Sequence, residues 1–141
     1  MPRQMQRYIT GLLEQLLGPA EHEKRFDWAR GDSRTGGRGV PLPFDAVWEN
    51  RHLIVEIDEQ QHRSPAAYFD KPDVMTVSGV HRGEQRRLYD ERKTRLAEEQ
   101  GYLVIRVSVP LAAVDASRAS RAMDLVAFRA LLARAGVEPL T

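Results

Sequence analysis

Cysteine is absent from this 141-residue chain. That excludes a disulfide framework, a thiolate metal site and a cysteine nucleophile, and it fits a reducing, cytoplasmic setting. A long continuous apolar run is also missing. Residues 1–17 open with an arginine and then space their apolar side chains at helical intervals, so they predict an amphipathic helix rather than a signal peptide, and no membrane association is expected. Net charge is nearly lacking as well. Lys and Arg number 21 against 20 Asp and Glu, leaving +1, so the molecule as a whole exerts little pull on a polyanion.

The charge that is present is unevenly placed. Between His81 and Ala97, Arg82, Arg86, Arg87, Arg92, Lys93 and Arg95 outnumber Glu84, Asp90 and Glu91. In "ARGDSRTGGRG", Arg30, Arg34 and Arg38 stand against Asp32 among glycines. Each patch suits phosphate binding, and each taken alone suits a solvated surface equally well.

With 42% hydrophobic residues, a chain of this length supports one compact domain, residues 1–141. Met5, Tyr8, Ile9, Leu12, Leu13, Leu16 and Leu17 share one helical face, and Gly18-Pro19 ends that helix. "EKRFDWA" reads as a strand, residues 31–39 as a mobile glycine-rich loop, and "LPFDAVW" and "HLIVEID" as two further strands joined by residues 49–52. Residues 63–83 have no clear period and predict a long loop. A helix over about 84–100 closes at Gly101. "YLVIRVS" then predicts a strand interior to the sheet, because it is mostly apolar, and a last helix spans roughly 120–135. The order is αβββαβα, an α/β (α+β) class.

The two central strands can be registered from their pattern. A tight turn at Asn50-Arg51 pairs residues whose numbers sum to 101: Trp48 with Leu53, Ala46 with Val55 and Phe44 with Ile57 on one apolar face. The other face then carries Val47 opposite Ile54 and Asp45 opposite Glu56, with Asp58 next along the same side. Like charges directly opposed destabilise a sheet unless something offsets them. A divalent cation such as Mg²⁺, or Mn²⁺ in its place, would do so, and clustered carboxylate oxygens suit such hard ions; arginines pairing each acid at a solvated sheet edge would serve too. His62 follows Asp58 by four residues and either bonds at the surface or moves a proton beside that cluster. On the following helix, Leu88, Tyr89 and Leu96 define the inward arc with Arg92 in its middle. Arg92 therefore either snorkels or reaches the carboxylates. Arg86, Asp90 and Lys93 share the adjoining flank and most simply form an ion-paired solvent face, while Glu14 lies off the first helix's apolar side.

"PFDAVW", "LIVEIDEQQH" and "YDERKTRLAEEQGYLVIRVS" together resemble the PD-(D/E)xK nuclease superfamily, especially the branch similar to very short patch repair endonucleases and small homing-type nucleases. The similarity spans roughly residues 43–108. It implies a restriction-endonuclease-like core, a metal-dependent DNA endonuclease, and metal ligands at Asp45, Glu56 and Asp58. Asp58 stands where the superfamily commonly has lysine; the resemblance then implies that His62, with Arg92 or Lys93, completes the catalytic set. DNA contacts are expected from Arg34, Arg38, Arg63, His81, Arg82 and Arg86. A homodimer or larger complex is expected for double-strand cleavage. The alternatives are a nuclease fold that binds DNA without cutting it, and an interaction module whose acidic cluster is a structural ion-pair network.

Overall fold

The structure, a computed structural model, describes residues 2–33, 36–59, 82–109 and 118–140. Its elements run α1 (Pro2–Leu17), β1 (Glu21–Arg30), β2 (Pro41–Trp48), a single 3-10 turn (Glu49–Arg51), β3 (Leu53–Glu59), α2 (Arg82–Glu99), β4 (Leu103–Val109) and α3 (Arg118–Arg134). Among the described residues the class is mixed α/β: three α-helices and one four-stranded sheet of order β1-β2-β3-β4, antiparallel except for the parallel β3–β4 pair. The loop expected over 63–83 falls outside the described residues except at its last two positions, which begin α2. No helix among the described residues is long and apolar enough to cross a membrane.

The β2–β3 register follows the hydrophobic alternation, with Trp48 on Leu53, Val47 on Ile54 and Ala46 on Val55. The connection is a 3-10 turn closed by His52 in the left-handed region, not a two-residue turn. Even-numbered β2 residues were expected to share one face, and Phe44 breaks that rule. Ala46 and Trp48 pack with Leu53, Val55, Ile57, α1 and α3, whereas Phe44 packs with Val47, Ile54, Ala29 and Ala97 on the opposite side. The strand changes face at Asp45. On β1, Glu23 takes a φ of 49° between the His22–Ala46 and Lys24–Phe44 pairs, so the neighbouring strand is irregular at the same level.

α2 ends in a two-bond cap: Gly101 has a φ of 90°, its N–H donates to Glu98 at 3.0 Å, and the Tyr102 N–H donates to Ala97 at 3.0 Å. The Leu103 N–H then bonds the His52 carbonyl at 2.8 Å and starts β4 alongside β3. β4 is an edge strand among the described residues, not the interior strand its composition predicts. Its apolar residues are explained by helices on both faces: Ile105 and Val107 join the α1/α3 side, Val104 the α2 side.

Candidate functional site

The β2–β3 ladder runs only as far as Ala46–Val55. Beyond it, backbone donors that lose a strand partner must find another or be left unsatisfied at a cost. Carboxylates supply it. The Asp45 N–H donates to Glu56 Oε2 at 2.8 Å, and the Ile57 N–H donates to Asp45 Oδ2 at 2.8 Å. The two acids thus bridge the place where the strands part.

Glu56 is only 3% exposed, and its other oxygen, Oε1, pairs with the ammonium of Lys93 from α2, itself buried. That ammonium also sits 4.8 Å from the centroid of the Phe44 ring, a cation–π contact that the face change at Asp45 makes possible. Burial, then the charge of Glu56, pushes the Asp45 carboxyl up to about 7; the Ile57 N–H and Lys93 pull the other way, and a hydrogen bond with Glu56 favours the protonated form. A carboxyl poised there can exchange its proton for a cation or accept one from a neighbour near neutral pH.

A second layer adjoins this triad. Arg106 lies opposite Glu56 on β4, and its Nη2 donates to the Asp90 carbonyl at 2.7 Å and to Thr94 Oγ1 at 2.5 Å, tying the turn of α2 that precedes and follows Lys93 to the sheet. Burial raises the Asp90 carboxyl above its ordinary range against the pull of Arg106 and Lys93, while Glu56 and Asp58 push it further up.

The residues singled out from sequence divide clearly. Asp45, Glu56 and Lys93 come together. Asp58 sits half-buried two positions beyond Glu56 on β3 and acts on the same Asp90. Lys93 and Asp90 do not form a solvent face; they lie on the side of α2 turned to the sheet, beside the fully buried Ala97. Arg92 does not reach the carboxylates. Its guanidinium stacks 5.0 Å from the Tyr89 ring centroid, pairs with Asp32 at 2.9 Å and donates to the Arg30 carbonyl at 3.1 Å, holding the loop between β1 and β2. Arg38 pairs with Asp27, and Arg86 is exposed on α2. Glu14 accepts from the Ala20 N–H at 2.8 Å and contacts His22 at 3.1 Å, closing the turn after α1. Arg34, His62, Arg63 and His81 lie outside the described residues, as does the side chain of Arg82.

Sequence reasoning overlooked Asp90 and Arg106 as members of this site. The available signals were the three-residue step from Asp90 to Lys93 and, once β3 and β4 are taken as parallel, the Glu56–Arg106 pairing. Among the described residues, no group of three or more His, Asp or Glu side chains forms a ready-made metal site. No family model, curated protein or solved structure matches the chain.

Proposed function

We propose that the chain is a metal-dependent DNA endonuclease on a restriction-endonuclease-like core, with Asp45, Glu56 and Lys93 at its reacting centre and Asp58 at its edge. The observation that carries this reading is the buried junction itself: two carboxylates at the point where the strands separate, one of them titrating near neutrality, with a lysine delivered from a helix. Such a junction costs stability, since buried ion pairs barely repay their desolvation. Active sites are where that cost recurs.

The donor set fits Mg²⁺. This ion keeps several waters and is commonly held by one or two carboxylates together with substrate phosphates, so a full protein cage is not required. Asp45 and Glu56 would hold it, with Asp58 adding an outer ligand, and Mn²⁺ would substitute. When bound, the ion supplies a water of lowered pKa and neutralises charge on the phosphate. To take up the ion, Asp45 would release to solvent the proton that burial and Glu56 keep on it. Lys93 provides the positive charge that Asp58, two residues after Glu56, cannot, and its ammonium would offset charge gathering on a phosphate oxygen. His62 is retained in this reading as a proton carrier.

One observation favours the alternative of a DNA-binding fold without cleavage: Lys93 already satisfies Glu56 Oε1, and the described residues hold no three-ligand group. Incubation of purified protein with supercoiled plasmid in Mg²⁺, Mn²⁺ or EDTA separates the two. Nicking is expected with either metal and not in EDTA, falling by about 10³-fold in Asp45→Asn and Glu56→Gln. Cleavage that survives both substitutions overturns the assignment. Duplex binding without cleavage in any metal leaves the binding-only fold.

A further inference from the structure

The β1–β2 loop is held at its base and charged on its outside. Gly31 and Gly39 pack backbone against backbone there: a Cβ on Gly39 would fall 1.8 Å from the Gly31 carbonyl oxygen. Arg92 then ties Asp32 and the Arg30 carbonyl to α2, one residue before Lys93. The base of the arm is thereby tied to the helix that carries Lys93.

On its outer side one carboxylate engages two guanidiniums. Asp27 Oδ1 pairs with Arg30 Nη2, and Asp27 Oδ2 pairs with Arg38 Nη2 at 2.8 Å. The two arginines are not equivalent. Arg30 is further anchored by the carbonyls of Asp27 at 3.1 Å and Gly39 at 2.6 Å, and its side chain is 25% exposed. Arg38 is 65% exposed and, among the described residues, bonds only to Asp27, through its carboxylate and, at 3.1 Å, its carbonyl. Hydrogen bonds from Arg38 and then Arg30 hold the Asp27 carboxyl below its usual range, outweighing a small opposing effect of burial, so at neutral pH this is an anion between two cations.

Deepening the nuclease reading, on which this rests, we infer that Asp27 is an internal stand-in for a DNA phosphate: the duplex backbone displaces its carboxylate and takes Arg38, with Arg30 fixed behind it. An exposed ion pair is weak enough to exchange, and a guanidinium accepts a phosphodiester as readily as a carboxylate. Asp27 thereby restrains duplex affinity until a phosphate reaches the arm.

The test is affinity for a short labelled DNA duplex by fluorescence anisotropy, in EDTA and at low salt, with folding checked by circular dichroism. Asp27→Asn is expected to tighten binding about three- to tenfold, and Arg38→Ala to weaken it by a similar factor. Glu99→Gln makes the same charge change where Glu99 pairs with Arg95 at 3.2 Å on α2. It should shift affinity less than about twofold. In an Arg38→Ala background the Asp27→Asn gain should shrink to that control level. A gain no larger than the control's, or one that persists without Arg38, overturns the inference while leaving the nuclease reading untouched. A full gain in a protein that cuts no plasmid in any metal supports the arm and overturns the nuclease reading alone. Absence of duplex binding by every variant overturns both.

Discussion

On the face of the sheet covered by α1 and α3, the contacts are almost entirely apolar: Ile9, Leu13, Leu16 and Leu17 meet Ala46, Trp48, Leu53, Val55, Ile57, Val107 and Leu132. On the face covered by α2, an apolar half built from Phe44, Val47, Ile54 and Ala97, flanked by the stacked Phe26 and Trp28 rings 4.5 Å apart, gives way to Asp45, Glu56 and Lys93. The helices reflect this. α1 carries a clear apolar stripe, whereas α2 carries none, because part of its inward side is charged. Burial of hydrocarbon drives the first face together without directional demands. The second face repays its desolvation only if the charges stay paired. One face thus holds the fold, and the other spends some of that stability on a polar junction.

The comparison can be broken most forcefully from the apolar side. Leu13 is fully buried, so Leu13→Ala should cost about 3 kcal/mol in the denaturant unfolding free energy. That loss should be independent of pH, since the buried side chains of its cluster are all apolar. A cost under about 1 kcal/mol would mean that this face does not carry the fold.

On the α2 face the informative change is Lys93→Met, which fills much of the space and deletes the charge. The facing carboxylates of Asp45 and Glu56 are then left without a cation, and the protein should lose about 2–3 kcal/mol at a pH above neutrality. Adding Glu56→Gln should recover most of that loss, because the uncompensated charge goes with it. If the double variant is as unstable as the sum of the single ones, the pair is not coupled and Lys93 acts through packing on Phe44 instead.

How much of this was legible beforehand follows the same division. Period-two alternation in "LPFDAVW" and "HLIVEID" was enough to set the register, because slipping one position would have placed acids among Trp48 and Leu53. The position of Phe44 was not legible. Its face is set by side chain–backbone bonds at Asp45 and by the left-handed Glu23 beside it, and neither leaves a mark on hydrophobic pattern. Helical spacing alone put Lys93 on a solvent flank for a related reason, and only the family resemblance drew it into the catalytic set. A helical wheel sends charges outward by rule, and only knowledge that the small Ala97 is fully buried against the sheet turns the wheel far enough to bring Lys93 onto Glu56. The edge position of β4 was equally hidden, since a strand covered on both faces by helices has an interior composition wherever it lies in the sheet. Pattern reads which side is oily. It cannot read which polar groups are drawn in where that pattern ends.

The smallest expected effect is the most specific to that polar junction. Asp45 ordinarily loses its proton near 3.8, and in the folded protein burial and the charge of Glu56 push this to about 7. Between those values the native state keeps a proton that the unfolded chain has released, so native binds more protons and stability must fall as pH rises through the window. Below it both states are protonated, and the penalty vanishes. Asp45→Asn preserves an oxygen to accept from the Ile57 N–H but cannot ionise. The variant should therefore match the wild type near about pH 4 and be the more stable of the two near about pH 8, a difference read from urea midpoints across the range. The apolar-face variant Leu13→Ala supplies the contrast, because its offset from wild type should stay level over the same range. A level difference for Asp45→Asn as well would place the two faces under one rule and remove the electrostatic strain from which the nuclease reading starts.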